Sequence, residues 1–186
     1  MNKNNHTIVA LVEDKPGVLN RIVSKLRQRA FNIESLAVGH SEIPGLSRMT
    51  FAVDAATTDV EQVVKQIDKI IDVVHIEDIT GGDVITRELA MLKVHCTPAT
   101  RSSILEIVEI FRASIVDVTS ESLIVEATGD DVKLDSLIQL LQEYGIIELC
   151  RTGTLAIMRG PGKVGPTEQE LVLPDLEGGR APGGLY

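Results

Sequence analysis

Tryptophan is absent from this sequence, and three phenylalanines and two tyrosines are its only aromatic residues. So few rings cannot build a stacking platform for nucleic-acid bases. Basic residues are scarce as well: 18 Lys and Arg stand against 27 Asp and Glu, for a net charge of −9. Affinity for a phosphate backbone comes from Lys and Arg, so no nucleic-acid partner is expected. The two cysteines, Cys96 and Cys150, are too few and too far apart for a disulfide framework or a zinc ribbon, and they fit a reducing compartment. No apolar run approaches the roughly 20 residues of a membrane span, and the N-terminus has no signal-peptide core or cleavage site. The expectation is a cytoplasmic protein, or the mature form in an organelle stroma, without membrane contact. The Asn5-His6-Thr7 glycosylation match then carries no function.

Catalytic constellations are missing too. Gly160-Pro161-Gly162-Lys163-Val164-Gly165 matches G-x-G-x-x-G literally, but Pro161 and Pro166 flank it and no amphipathic helix follows, as a dinucleotide fingerprint requires. There is no phosphate-binding G-x-x-x-x-G-K-[ST], no H-E-x-x-H and no G-x-S-x-G. His95 and Cys96 are neighbours in a strand-like run, where successive side chains point to opposite faces, so the two cannot hold one metal together. His40 and His75 stand alone near strand ends. No cofactor, metal or catalytic residue is assigned to this chain.

What the sequence does contain is 44% hydrophobic and 24% charged residues over 186 positions, a globular balance with room for two small domains. One pattern occurs twice. Residues 6–13 have a strand-like apolar centre, and Asp14-Lys15-Pro16-Gly17 then turns into a helix whose stripe is Val18, Leu19, Ile22, Val23 and Leu26. Pro16 suits the first turn of that helix. Strand-like runs 32–39 and 47–53 follow, split by the turn Glu42-Ile43-Pro44-Gly45. Asp59 is a candidate cap for a helix carrying Val60, Val63, Val64, Ile67 and Ile70, and 72–79 closes the unit as a strand. Gly81-Gly82-Asp83 opens a linker over 81–86. The order then recurs: a strand over 89–96, a helix capped by Ser102 or Ser103, strands over 114–118 and 122–127, a helix capped by Asp130 or Asp131, and a last strand over 148–158.

The fold class expected is α+β, as two ferredoxin-like βαββαβ units, each an antiparallel sheet with helices on one face. The boundaries read 1–80, linker 81–86, 87–159, and a flexible Gly/Pro-rich tail over 160–186 with Leu171–Leu173 as a possible docking patch. The helix-free face or edge of each sheet is expected to associate with something.

One local arrangement suits a ligand. Asp14-Lys15-Pro16-Gly17-Val18-Leu19 joins a strand to a helix N-terminus, whose unpaired N–H groups and partial positive charge favour a carboxylate. Gly17 lets a ligand approach the backbone, Asp14 can receive an ammonium group, and Asn32 can donate and accept. Together they would seat an α-amino acid. On spacing alone the same residues also read as a capped tight turn and nothing more.

The stretch VEDKPGVLNRI…RAFNIESLAVG…PGLSRMTF resembles the ACT domain, a small-molecule-sensing module of amino-acid metabolism. With Arg87–Val94, Ile110-Phe111-Arg112-Ala113 and Arg151-Thr152-Gly153, it is similar to the regulatory (small) subunit of acetohydroxyacid, or acetolactate, synthase over residues 6–159. Ala30 stands where that family often has Gly, and Asp14 where many members have Asn. The resemblance implies a non-catalytic partner of the catalytic (large) subunit, raising its activity and conferring feedback inhibition by valine or another branched-chain amino acid. Thiamine diphosphate, magnesium and FAD would sit on the catalytic subunit. It further implies a homodimer through the ACT domains, with Asp14, Gly17, Val18 and Leu19 of one copy facing Asn32 and Ile33 of the other. A stand-alone ACT-type sensor serving another enzyme is the alternative; a small enzyme of this fold has no residues to support it.

Overall fold

The computed structural model describes residues 5–28, 32–54, 60–166 and 171. The first unit comprises β1 (Asn5–Glu13), α1 (Val18–Gln28), β2 (Ile33–His40), β3 (Leu46–Asp54), α2 (Val60–Ile67) and β4 (Val73–Asp78). Its strands form one antiparallel sheet in the order β2-β3-β1-β4. The central strand β1 is buried on both faces: Ile8, Val9, Ala10, Leu11 and Val12 are at most 2% exposed. Ile8, Ala10 and Val12 meet Ile22 and Leu26 of α1 and Val63 and Ile67 of α2 in one core. Each such buried side chain contributes about 1.5–3 kcal/mol relative to exposure.

The second unit comprises β5 (Val84–His95), α3 (Arg101–Ile110), β6 (Ser114–Val118), β7 (Ser122–Gly129), α4 (Asp131–Gln142), β8 (Ile146–Arg151) and β9 (Leu155–Met158). Its sheet runs β6-β7-β5-β8, with β9 pairing the first residues of β5. Leu92 and Val94 pack with Leu123, Leu134 and Leu137 under α3 and α4. Two antiparallel sheets with four helices make the α+β, doubly ferredoxin-like class expected from the periodicities.

Several details differ from the sequence reading. Residues 84–86, read as linker, are the first residues of β5, because Val84, Ile85 and Thr86 pair with Met158, Ile157 and Ala156. The single strand expected over 148–158 is two. The Thr152 hydroxyl accepts from the Leu89 N–H (3.1 Å), the Thr152 N–H donates to the Leu89 carbonyl (3.1 Å), and Gly153 turns the chain at φ +83°. Thr100, not Ser102 or Ser103, precedes α3, and its side chain makes no capping bond. Asp130 does cap α4, accepting from the Lys133 N–H at 2.8 Å. The stripe expected to reach Ile70 ends as helix at Ile67, with Ile70 packed from the following turn. Part of the tail is structural, since Val164 is only 2% exposed. Asp59, Ala30, Leu173 and most of the tail lie outside the described residues.

The helix-free face of the first sheet is covered by the chain itself. Val9 and Ile79 pack against Ala156 of β9 and Val164, with Val84 and Met158 alongside. Arg48 Nη2 donates to the Ala156 carbonyl at 3.1 Å, and the Thr154 N–H reaches Ser35 Oγ at 3.5 Å. A Cβ on Gly153 would lie 3.1 Å from the Leu36 carbonyl oxygen, so strand backbone meets turn backbone there. Gly153→Ala is expected to cost about 1 kcal/mol in backbone strain and about 1–2 kcal/mol more from overpacking. Gly81→Ala, with a similar φ of +77° and open space around it, should show only the first cost. Urea unfolding of both variants measures the difference, and equal destabilisation would remove the contact's role.

Candidate ligand site and interdomain junction

The turn between β1 and α1 is pinned at both ends. The Glu13 N–H donates to the Asp72 carbonyl and the Asp14 N–H to the Gly45 carbonyl, each at 2.8 Å. Pro16 and Gly17 then occupy the centre of a type II turn, closed by the Val18 N–H on the Lys15 carbonyl at 3.4 Å. That turn needs a left-handed residue at its third position, which Gly17 supplies at φ +87°. Pro16 therefore sits in the turn and not in the first turn of the helix. The helix opens with the Arg21 N–H on the Gly17 carbonyl (3.0 Å), so the Leu19 and Asn20 N–H groups have no acceptor within it. An anion at this end would meet those N–H groups.

The predicted site residues divide into two places. Asp14 is exposed, Leu19 is 43% exposed, and Val18 is 2% exposed, its side chain committed to the core. The side chain of Val18 thus faces the core and not the solvent side of the turn. Asn32 is exposed and Ile33 partly buried, at the start of β2. The register sets Ile33 opposite Val53, and Val53 opposite His6, while His40 lies opposite Ser47, itself opposite Val12. Asn32 and Ile33 are therefore at the far end of the sheet from the Asp14 turn, separated by roughly 23 Å of strand. One copy does not bring the two groups together. At the near end stands His40, with Nδ1 3.2 Å from Asp14 Oδ2, a partner that the spacing of lone histidines did not reveal. Arg21 pairs with the nearly buried Asp72 at 2.7 Å, bracing the start of α1 on the loop before β4.

Beside the junction, within the second unit, a buried ion pair ties β5 to β8. Glu88 is 6% exposed and receives Arg151 in a two-pronged contact, Nε to Oε1 at 2.8 Å and Nη2 to Oε2 at 2.7 Å. Arg151 Nη1 also meets Asp135 at 2.8 Å. The bonds to Glu88 hold the guanidinium's pKa above its ordinary value against its partial burial, with Asp135 adding to the effect. Beside this clasp lies an interdomain cleft of about 660 Å³, lined by Ser35, Leu36, Thr86 and Gly153 among others. Among the described residues no group of His, Cys, Asp and Glu could hold a metal ion, and no helix is long and apolar enough to cross a membrane.

Two βαββαβ units in series, the first with a glycine turn feeding a helix N-terminus, define the ACT-type class of fold. A family model for the AHAS small subunit-like ACT domain matches residues 8–75, and one for the small subunit of acetolactate synthase matches 87–160. The chain belongs to the acetolactate synthase small-subunit family. It is 49% identical over 158 residues to a probable acetolactate synthase small subunit of Archaeoglobus fulgidus, covering 85% of this chain and 99% of the relative. To the small subunit of Bacillus subtilis it is 49% identical over 154 residues, covering 82% and 90%. The solved small subunit of Thermotoga maritima matches with a TM-score of 0.77 at 37% identity, covering 84% of this chain and 98% of that one.

Glu88→Gln, which leaves the shape but removes the charge-assisted pair, is expected to destabilise by about 2 kcal/mol. Asp135→Asn, whose carboxylate is 65% exposed, should cost under about 1 kcal/mol. Equal losses in denaturant titrations would show that burial adds nothing to the strength of the Glu88 pair.

Proposed function

We propose that this chain activates the catalytic subunit of acetolactate synthase and confers feedback inhibition by valine or another branched-chain amino acid, through seats shared between two copies. The observation that carries the reading is the placement of the two half-sites at opposite ends of β2, the outer strand of its sheet. Antiparallel pairing of β2 with the β2 of a second copy would set the Asp14 turn of each beside Asn32 and Ile33 of the other. Two equivalent seats follow from one two-fold axis.

In each seat the Leu19 and Asn20 N–H groups would receive the ligand carboxylate, and Asp14, beside His40, its ammonium group. Leu19 and Ile33 would face the branched side chain, and Asn32 would complete the polar contacts. Thiamine diphosphate, magnesium and FAD belong, on this reading, to the catalytic subunit, which this chain influences without touching the reacting atoms. Ser35 and Leu36, two and three residues beyond Ile33, touch Thr154 and Gly153. A shift of β2 on ligand binding would therefore press directly on the segment joining β8 to β9.

Binding of the catalytic subunit and of valine must then be reciprocally coupled, typically by about 1–3 kcal/mol. Titration calorimetry with valine, with and without the catalytic subunit, should give affinities that differ accordingly; equal affinities would refute the coupling. Gly17 is a poor probe because its φ makes any side chain costly. Asn32→Ala is the better one, expected to weaken valine binding about tenfold or more while leaving acetolactate formation by the mixed subunits activated. Loss of activation in step with inhibition would place Asn32 elsewhere in the mechanism.

A further inference from the structure

The ribbon made by β5 and β9 has two faces. Thr86 and Ala156 share the inner one, which lies on the first sheet, and Ala156 is 5% exposed. Ile85 pairs with Ile157 and Arg87 with Leu155 on the outer one. Leu155 is 57% and Ile157 61% exposed, which is unusual for large aliphatic side chains set side by side. Against them the β2–β3 edge leaves a groove of about 330 Å³, walled by Ile85, Leu155 and Ile157 on one side and by Gly39, Arg48 and Thr50 on the other. Nothing lies within 4 Å of where a Gly39 Cβ would stand, so that glycine keeps the groove open.

The rim of the groove is basic. Arg48 is half-buried, and its Nη2 donates to the Ala156 carbonyl. Arg87 bonds only its neighbour's carbonyl, that of Thr86, at 2.7 Å. Among the described residues neither arginine forms an ion pair. Glu42, the acid nearest Arg48, is taken by Lys163 at 3.0 Å. Two guanidinium groups with no ion-pair partner among the described residues, flanking an aliphatic cleft on a chain of net charge −9, call for an acidic and aliphatic occupant. A second copy of this patch would bring the same cations against each other.

We propose that this groove docks the catalytic subunit, receiving a segment that presents aliphatic side chains beside carboxylates. The proposal rests on the regulatory reading above and names the surface through which it acts. Aliphatic side chains would fill the space over Gly39 between Ile85, Leu155 and Ile157, and carboxylates would pair with Arg48 and Arg87. The docked segment then lies on the same ribbon whose inner face packs on Val9 of β1, and whose β9 strand follows directly on Gly153 and Thr154, the residues that meet β2. Ligand seat and partner would thus act on opposite sides of one two-stranded element.

The test uses the full chain and its cognate catalytic subunit, with association measured by interferometry at low and high salt. The double variant Leu155→Ser/Ile157→Ser and, separately, Leu155→Asp should each weaken association by about tenfold or more. Arg87→Glu should weaken it about tenfold at low salt and much less at high salt. Melting temperature, and the mass of the chain alone by light scattering, should not change in any of them. Wild-type affinity retained by both groove variants overturns the surface while leaving the regulatory reading intact. A change in the chain's own mass in those variants overturns it too, making a second copy the occupant. Failure of the unaltered chain to bind the catalytic subunit at all overturns the regulatory reading and the surface together.

Discussion

A strand that is apolar on both faces sets the terms for this molecule. β1 reads Ile-Val-Ala-Leu-Val at its centre, and none of the five side chains is more than 2% exposed. Helices α1 and α2 cover Ile8, Ala10 and Val12, but Val9 and Leu11 point the other way, onto a face that an isolated four-stranded unit would leave in water. The chain solves this by extending the second unit: β5 begins early, β9 returns along it, and Val164 follows, so that Val84, Ala156, Met158 and Val164 lie over Val9 and Ile79. The two units are consequently joined by packing and not by a tether. Small domains of this size bury only about 60–65% of their surface alone, so a shared apolar layer stabilises both.

The contact is of an unforgiving kind. Gly153 approaches the backbone of Leu36, with no side chain between them that could change rotamer and absorb a displacement. Glu88 and Arg151 close the same corner with two parallel hydrogen bonds, a geometry that fixes orientation as well as distance. A movement of β2 would thereby be handed to the β8–β9 segment with little slack. Because the ribbon occupies part of the helix-free face, the surfaces left for other molecules are the β2 edge, the groove beside it, and the open face of the second sheet. On that open face Met91, Lys93 and His95 of β5 alternate with the buried Leu92 and Val94.

How much of this was legible in the sequence follows from how local each signal is. The α1 stripe and the double occurrence of strand, helix, two strands and helix were readable, because periods of 3.6 and 2 are properties of contiguous residues. The extent of β5 was not: Gly81-Gly82 announces a turn, and only the distant partners Ala156–Met158 turn Val84–Thr86 into strand. Nor was the break at Gly153, whose reason is the backbone of Leu36, more than a hundred positions away. Of the proposed seat, the turn residues Asp14 and Gly17 were legible as chemistry. His40 beside Asp14 was not, since that neighbour is delivered by the β1–β3–β2 register. The burial of the Val18 side chain was not legible either, for a related reason: a helical stripe says which residues are apolar but not which of them the core has already claimed.

The division of the seat bears on what it could discriminate. The charged ends of an amino acid would meet groups shared by every amino acid: N–H groups at the α1 terminus, and the carboxylate of Asp14. These contribute affinity without choosing among side chains. Choice must then fall to the apolar residues near each half-site, Leu19 from one copy and Ile33 from the other, the first 43% exposed and the second partly buried against its own core. A methylene more or less in an apolar pocket is worth only about 1–3 kcal/mol, so such a seat separates valine from its larger homologues by a modest factor. Sharper selection would have to come from the approach of the two copies, because an oversized side chain would hold Leu19 and Ile33 apart and strain the β2 pairing that creates the seat. In that arrangement ligand size would be read as a distance between strands, and the Leu36–Gly153 contact would carry the resulting shift of β2 to the second unit.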